Sequence, residues 1–293
     1  MTTPLRTRLI ISTDAKNEAD DQFAIVHALL SATLDIRGIL PAHFGASVPD
    51  SLARSRAEVD LLLRLTGRDD VVVADGAEGP IVDEVTARDS AAARLVIEES
   101  RSGDGTLFVA VLGPLTDVAS ALLPDPGLAQ RDVTVVWIGG PPYDAEAVYW
   151  PEYNLSNDIA AANVVFGSGI RVWQIPMNVY TLVGVGYAEL EAKVAPHGPA
   201  GRYLVDQLME WNAGNMARAV DFRSLGDSPA IGVVLNPFGA VWHRRPAPLF
   251  TPDGAMRPGA GAGDVRVCEH LDTRYVLEDF FSKMALHGAA HRD

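Results

Sequence analysis

The sequence contains a single cysteine, and it has no long apolar run. With Cys268 as the only cysteine in 293 residues, neither an intrachain disulfide nor a metal site built from several cysteines can form, and a reducing compartment is the natural environment. The apolar run that starts at Leu9 is broken at Ser12, before the core of a signal peptide could form, and no other run reaches membrane-spanning length. We therefore expect a cytoplasmic protein.

Positive charge is also scarce. The chain carries 24 lysines and arginines against 38 acidic residues, which gives a net charge of −14. A charge of this sign repels phosphate backbones and anionic lipid, so nucleic-acid polymers and membranes are not expected as partners. The remaining composition, 48% hydrophobic and 21% charged, is that of an ordinary globular protein with a sizeable core.

Short apolar runs alternate with helical patterns as far as about residue 176. The runs at 107–112 and 133–138 are almost continuously apolar, which is typical of strands buried on both faces of a parallel sheet. The alternation predicts an α/β fold with a doubly wound, mostly parallel sheet. The predicted strands are residues 9–11, 35–40, 71–73, 107–112, 133–138 and 170–172, and the predicted helices are residues 20–31, 50–66, 90–100, 114–123 and 158–166.

The alternation weakens after residue 176. Helices are predicted at 201–220 and 228–235, and a final helix is predicted near 276–286. Between them, the Gly- and Pro-rich stretch 246–263 indicates a surface loop or an irregular hairpin. We expect a single domain, in which residues 8–176 form the core and residues 177–293 form a helical cap and complete the fold.

An acidic segment, DAKNEADD at 14–21, follows the first predicted strand. In a doubly wound sheet, ligands bind outside the carboxyl ends of the strands. Carboxylates crowded on one loop repel one another unless a hard cation neutralises them, and oxygen ligands favour Ca²⁺ or Mg²⁺ over zinc. Alternatively, Asp20 caps the following helix and Asp21 interacts with its dipole, which leaves the other acidic residues of the segment unexplained.

The sequence STD at 12–14 and DDQFA at 20–24 resembles the signature of the inosine–uridine-preferring nucleoside hydrolases. That signature is an Asp, a short loop containing Pro-Gly, and then Asp-Asp. Here the loop has two extra residues and lacks the Pro-Gly. The resemblance extends from residue 10 to about 232, and further matching segments occur in family order at 38–39, 76–78, 112–117, 139–140, 152–154, 158–161 and 226–230.

The resemblance implies a calcium site with a catalytic base beside it. Asp14 and Asp21 would be calcium ligands, and Asp227 would complete the coordination from the second half of the chain. The backbone carbonyl of Leu112 would be a further ligand, and Asp20 would activate the attacking water. Helix capping is an alternative role for Asp227, and capping and ligation can coexist.

The resemblance also implies a ribose-binding segment. Glu152 and Asn154 match it, and acid and amide groups suit sugar hydroxyls. An ungapped alignment places Glu146 where the family has a ribose-binding Asn, and Trp150 is in the same region. Substrate binding is therefore expected at Glu146, Trp150, Glu152 and Asn154.

The acid that would help the base to leave is not apparent from the sequence. The family has a His immediately before the second-half Asp, but in this chain that position is Gly226. The candidates to replace it are His43, Trp150, Trp242 and His243. Among these, His43 is favoured because it follows the second predicted strand, where the family has a Gly-Asn pair that contacts ribose.

The expected function is Ca²⁺-dependent hydrolysis of the N-glycosidic bond of a ribonucleoside or a related ribosyl compound. The resemblance further implies a role in purine or pyrimidine salvage, inversion at the anomeric carbon, and a homodimer or homotetramer. Two alternatives are a hydrolase of another N- or C-glycoside and an inactive metal-dependent sugar-binding protein. A phosphatase of the haloacid-dehalogenase type is disfavoured, because no Asp stands two residues after Asp14.

Overall fold

A computed structural model describes residues 5–103, 105–144, 147 and 149–290. Strands and helices alternate regularly in the first 175 residues and less regularly afterwards. The strands are β1 (Thr7–Thr13), β2 (Leu34–Pro41), β3 (Leu107–Val111), β4 (Val133–Ile138), β5 (Arg171–Ile175), β6 (Gly184–Gly186), β7 (Phe222–Ser224), β8 (Ala240–Pro246), β9 (Leu249–Phe250), β10 (Met256–Arg257) and β11 (Asp264–Leu271).

The helices cover both faces of the main sheet. A short 3₁₀ helix, Pro126–Gln130, precedes β4. The α-helices are α1 (Asp21–Leu29), α2 (Ser51–Thr66), α3 (Ala91–Arg101), α4 (Thr116–Leu122), α5 (Tyr153–Asn157), α6 (Ile159–Gly167), α7 (Met177–Tyr180), α8 (Tyr187–Lys193), α9 (Gly198–Asn215), α10 (Ser228–Leu235) and α11 (Thr273–Ala290). No helix in the described part of the chain is long and apolar enough to cross a membrane.

The main sheet has seven strands in the order β2-β1-β3-β4-β5-β11-β8. All neighbours are parallel except β8, which pairs antiparallel with β11. The predicted doubly wound, mostly parallel sheet is therefore confirmed. Because the chain runs from β1 outward to β2 on one side and later to β3 on the other, the strand order reverses between β1 and β3. The carboxyl ends of these two strands border the crevice where such folds bind ligands.

The central strands are apolar because helices pack on both of their faces. Every residue of β4 is buried, and so is every residue of β1 after Thr7. One hydrophobic core, which includes Phe23 and Leu204, lies on one side of the sheet, and a second, which includes Trp137 and Phe166, lies on the other. This two-sided burial produces the continuous apolar runs in the sequence.

The structure differs from the sequence prediction mainly in the second half. Residues 71–73 form no strand apart from an isolated bridge between Val73 and Ile39. The prediction missed β8 and β11, which extend the main sheet, and also the two-stranded sheet of β6 and β7. Within residues 246–263, β9 and β10 pair antiparallel, so the irregular hairpin is confirmed.

Candidate active site

A cavity of about 380 Å³ opens where β1, β3 and β4 end. Segments of both halves of the chain form its wall, including the β1–α1 loop, the start of α5 and the segment from β7 to α10. The lining residues are Asp14, Asn17, Glu18, Asp20, Asp21, Leu112, Ile138, Trp150, Glu152, Tyr153, Asn154, Tyr180, Thr181, Met216, Phe222, Arg223, Ser224, Gly226 and Asp227.

Four buried aspartates, which we call the cavity carboxylates, line this cavity: Asp14, Asp20, Asp21 and Asp227. Carboxylate oxygens of Asp20, Asp21 and Asp227 lie within 4.8 Å of one another. Asp14 approaches from the end of β1, and its carboxylate packs against Gly113, where a Cβ atom would lie only 2.7 Å from Asp14 Oδ1. The structure thus brings together all four side chains that the sequence assigned to the metal and to water activation.

Helix capping does not explain Asp20 or Asp227. Both occupy the N-cap position of a helix, α1 and α10 respectively, yet neither side chain accepts a capping hydrogen bond. Asp158, by contrast, accepts the backbone N–H of Ala161 and caps α6 in the usual way. The carboxylates of Asp20 and Asp227 are directed toward the other cavity carboxylates, not toward the first turns of their helices.

Burial and mutual repulsion both oppose ionisation of the cavity carboxylates. Burial, with a further contribution from Asp21, raises the pKa of Asp14 well above its usual range, and burial together with Asp20 does the same for Asp227. Burial and the charge of Asp20 also raise the pKa of Asp21 to about 7, although Thr13 Oγ1 donates to Asp21 Oδ1 over 2.5 Å. An all-oxygen donor set under this strain fits a hard cation such as Ca²⁺ or Mg²⁺, which would relieve it.

The carbonyl group of Leu112 lies at the cavity, as the resemblance implied. Its oxygen accepts a hydrogen bond from Asn154 Nδ2 over 2.7 Å, and the same nitrogen donates to the carbonyl of Ile138 over 2.9 Å. Asn154 therefore ties together the ends of β3 and β4. Since a carbonyl oxygen has two lone pairs, that of Leu112 can still accept a second partner from the cavity.

Glu152 lines the cavity and also organises the backbone around it. The N–H groups of Gly140 and Leu155 donate to Oε2 over 2.9 and 2.8 Å, and the hydroxyl of Tyr180 donates to Oε1 over 2.9 Å. The carboxylate is therefore held rigidly. Trp150 stands at the cavity mouth with 62% of its surface exposed, and Glu146 lies outside the described residues.

The structure does not bring His43 to the cavity. Its side chain is fully buried, and its Nδ1 accepts the N–H of Gly45 over 3.1 Å. The proton is therefore on Nε2, which donates to Thr116 Oγ1 over 2.8 Å. Burial lowers the pKa of His43 to about 4. A neutral imidazole enclosed in this way is not placed to protonate a leaving group in the cavity.

The other two candidates outside the lining are also distant from the cavity in the fold. Trp242 and His243 lie on β8, the edge strand of the main sheet. The Trp242 ring packs on Trp173 with a centroid distance of 5.2 Å. Of the four candidates that the sequence offered for leaving-group activation, only Trp150 lines the cavity.

Sequence reasoning gave no role to several polar side chains of the cavity, among them Glu18, Tyr180 and Arg223. Glu18 lies in the expanded part of the β1–α1 loop and forms an ion pair with Arg223 of β7. The loop turns at Lys16, whose φ of 77° is in the left-handed region. The signal available in the sequence was the two-residue expansion of this loop. The loop contains Glu18, a carboxylate that needs a cationic partner where it lines the cavity.

The sequence matches known proteins over most of its length. The sequence model described as inosine-uridine preferring nucleoside hydrolase matches residues 9–277. A rice protein named "Probable uridine nucleosidase 1" is 28% identical over 235 residues, 71% of each chain. The pyrimidine-specific ribonucleoside hydrolase RihA of Citrobacter koseri is 29% identical over 211 residues, 64% of this chain and 66% of that one.

Solved structures share the fold. A plant nucleoside hydrolase superposes with a TM-score of 0.77 at 21% identity, covering 95% of this chain and 99% of that one. The purine-preferring ribonucleoside hydrolase of Gardnerella vaginalis gives the same TM-score at 20% identity, covering 97% of this chain and 100% of that one. The chain belongs to the family of the inosine–uridine-preferring nucleoside hydrolases, which act on N-glycosyl bonds.

Proposed function

We propose that this chain hydrolyses the N-glycosidic bond of a ribonucleoside or a related ribosyl compound in a Ca²⁺-dependent reaction, releasing base and ribose. The observation that carries this proposal is the convergence of four buried carboxylates on one cavity at the reversal of strand order. Two of them, Asp20 and Asp227, stand at helix N-termini without capping them. Such an arrangement is unfavourable by itself and suits a cation and a cationic transition state.

The metal would be held by Asp14, Asp21, Asp227 and the carbonyl oxygen of Leu112. All of these are oxygen donors that line the cavity. When bound, the cation supplies a positive charge that holds sugar hydroxyls and lowers the pKa of a water molecule. The repulsion among the carboxylates, which burial intensifies, favours occupancy by a divalent ion.

Asp20 is the proposed base that accepts a proton from the attacking water. Its carboxylate is free of helix capping, and the backbone N–H groups of Gly226 and Asp227 orient it. Glycosidic cleavage passes through an oxocarbenium-like state, whose positive charge the surrounding carboxylates favour. Glu152 and Asn154, both fixed by backbone contacts, would position the ribose hydroxyls.

The relatives differ in the bases that their names specify. The rice and Citrobacter koseri proteins are named for uridine and for pyrimidine ribonucleosides, while the Gardnerella vaginalis enzyme is named purine-preferring. We propose that the substrate is a ribonucleoside of one of these two groups, processed in nucleoside salvage by a homodimer or homotetramer.

The test is hydrolysis of a panel of purine and pyrimidine ribonucleosides by the purified chain. Free base and reducing sugar would be measured with added Ca²⁺, after chelation, and after Ca²⁺ is restored. We expect release with Ca²⁺, loss on chelation and recovery on restoration, and we expect Asp20→Asn to abolish release while Ca²⁺ still binds. If no compound is cleaved but ribose binds in the presence of Ca²⁺, the chain is a sugar-binding protein and the proposal is wrong.

A further inference from the structure

The cavity is strongly acidic except at Arg223. Among the described residues that line it, Arg223 is the only one with a cationic side chain. No His or Lys is present in this lining. The surrounding carboxylates therefore favour the positively charged sugar of the transition state, whereas the negatively charged leaving base has a single cationic candidate partner.

Arg223 is held in place by contacts on several sides. Its Nη2 forms an ion pair with Glu18 Oε2, and its Nη1 lies 3.4 Å from Asn212 Oδ1. The guanidinium carbon stands 4.2 Å from the centroid of the Trp211 ring, and Trp211 in turn donates to the carbonyl of Asn17 over 3.0 Å. The Arg223 side chain is only 9% exposed. A cation fixed in this way needs little reorganisation when charge develops beside it.

The donors of Arg223 are not fully used. Its Nε is buried and has no hydrogen-bond partner. A buried guanidinium with an unengaged donor has a free-energy cost unless another acceptor reaches it. Because Nε is enclosed, a ligand in the cavity would meet the exposed part of the Arg223 side chain instead, since this residue lines the cavity.

A side chain at Gly226, where the family has its leaving-group acid, would crowd its neighbours in this structure. A Cβ atom at Gly226 would lie 3.0 Å from Tyr180 Cδ2 and 3.2 Å from Asp20 Oδ2. The ring of Tyr180 and the carboxylate of Asp20 would have to shift to admit a side chain there, and the chain has glycine at this position. Help for the departing base has to come from another part of the lining.

The remaining lining fits a nucleobase. Phe222 is 52% exposed and Met216 is 37% exposed, and both line the same cavity as Arg223. Aromatic and apolar surface favours the flat face of a base, and a guanidinium donates to its edge. With the ribose held at the cavity carboxylates, the base would extend toward this part of the wall.

We propose that Arg223 binds the departing base and stabilises its negative charge, in place of a protonating histidine. This inference rests on the proposed function. When the bond between C1′ and the base nitrogen breaks, both electrons stay on the nitrogen, and the guanidinium donates a hydrogen bond to the resulting anion. The water oxygen bonds to C1′, its proton passes to Asp20, and the released base takes a proton from solvent. Arg223 keeps its own protons throughout.

The test compares two leaving groups in wild-type protein and in Arg223→Gln. Uridine has a poor leaving group, whereas p-nitrophenyl β-D-ribofuranoside releases an anion that is already stable. We expect Arg223→Gln to lower kcat/KM for uridine, or for the best nucleoside found, by about 100-fold, as for loss of one charge-stabilising donor. For the p-nitrophenyl riboside the fall should be much smaller. Arg223→Lys, which keeps the charge but not the planar donor group, should retain more activity on uridine than Arg223→Gln.

Calorimetric titration with Ca²⁺ provides a readout that does not depend on turnover. Arg223→Gln should bind Ca²⁺ as the wild-type protein does, because Arg223 is not among the proposed ligands. Equal loss on both substrates, an unchanged rate on uridine, or lost Ca²⁺ binding would each overturn the inference while leaving the proposed function intact. If Arg223→Gln does not fold, the same comparison with Arg223→Lys decides the matter. Absence of all hydrolysis by the wild-type protein would overturn both.

Discussion

Two groups of buried polar side chains contain aspartates, and the aspartates of the two groups differ in their neighbours. The first consists of the cavity carboxylates. The second, which we call the buried network, consists of His43, Thr116, Asp117 and Asp158. In the buried network, Asp158 accepts hydrogen bonds from Ile81 N–H, Ala161 N–H and the Thr116 hydroxyl over 2.7 to 2.9 Å. In the cavity, carboxylate oxygens of Asp20, Asp21 and Asp227 lie within 4.8 Å of one another.

Burial and a raised pKa are common to both groups, so the clustering of carboxylates on one cavity is what separates a candidate ligand from a structural acid. Burial raises the pKa of Asp117 to about 6, much as burial and Asp20 raise that of Asp21 to about 7. Asp117 Oδ1 has two donors, Ala77 N–H and the Ser90 hydroxyl, whereas its buried Oδ2 has none. The cavity carboxylates also have donors, since Thr13 donates to Asp21 and the N–H groups of Gly226 and Asp227 donate to Asp20. What sets them apart is that four carboxylates line one cavity, an arrangement that suits an external cation.

The sharpest test of this contrast is Asp227→Asn. We expect kcat/KM on the best ribonucleoside to fall by about 1000-fold, because the substitution removes a proposed ligand and one of the charges that favour the transition state. The unfolding free energy of the metal-free protein should not fall, since a repulsive buried charge is removed. Steady-state kinetics and urea unfolding measure the two quantities. A large loss of stability with little loss of activity would place Asp227 among the structural acids.

Metal binding should stabilise the protein only through the cavity carboxylates. At Ca²⁺ concentrations about 1000-fold above the dissociation constant, the unfolding free energy should rise by about 4 kcal/mol. The Asp14→Asn variant should lose most of this gain, because one ligand is missing. Chemical unfolding with Ca²⁺, with Mg²⁺ and with chelator would measure the gain in unfolding free energy. An equal gain in the variant would show that the ion binds elsewhere.

The central strands were predictable from sequence, and the edge of the sheet was not. Residues 107–112 and 133–138 are apolar throughout because helices cover both faces, and β3 and β4 lie there. The edge strand β8 has a single neighbour and carries His243, Arg244 and Arg245, so its sequence lacks that pattern. The run 71–73 is apolar but has only one bridge to the sheet.

The carboxylates of the β1–α1 loop were predictable because the loop follows the carboxyl end of a strand in a doubly wound sheet. Asp227 follows β7, outside the main sheet, and only the family resemblance implied it. The location of His43 was not predictable, because the direction of its side chain depends on Thr116, which is 73 residues away. Arg223 was missed for a similar reason, since its partner Glu18 is 205 residues distant in sequence. Residue type and order identify which elements meet, but not which side chains pair across them.

His43 should make the stability of the protein depend on pH. Its pKa is lowered from 6.5 to about 4 in the folded state, because burial disfavours the charged ring. Its contribution to stability is therefore present above about pH 6.5 and is lost as the pH falls toward 4, by about 3 kcal/mol at most. Urea unfolding of wild type and His43→Gln between pH 4 and 7 would reveal a shallower dependence in the variant. Parallel curves would contradict the buried, neutral imidazole.

The smallest expected effect comes from Asp158→Asn, the counterpart of Asp227→Asn at a helix N-terminus. An amide has one acceptor oxygen where the carboxylate has two, so at least one of the three donors to Asp158 loses its partner. The unfolding free energy should fall by about 1 to 2 kcal/mol. Because Asp158 does not line the cavity, kcat/KM per folded molecule and Ca²⁺ affinity should stay at wild-type values. Loss of Ca²⁺ affinity in this variant would show that Asp158, which lies outside the cavity and accepts three hydrogen bonds, contributes to metal binding. The cavity carboxylates and the buried network would then not be distinct.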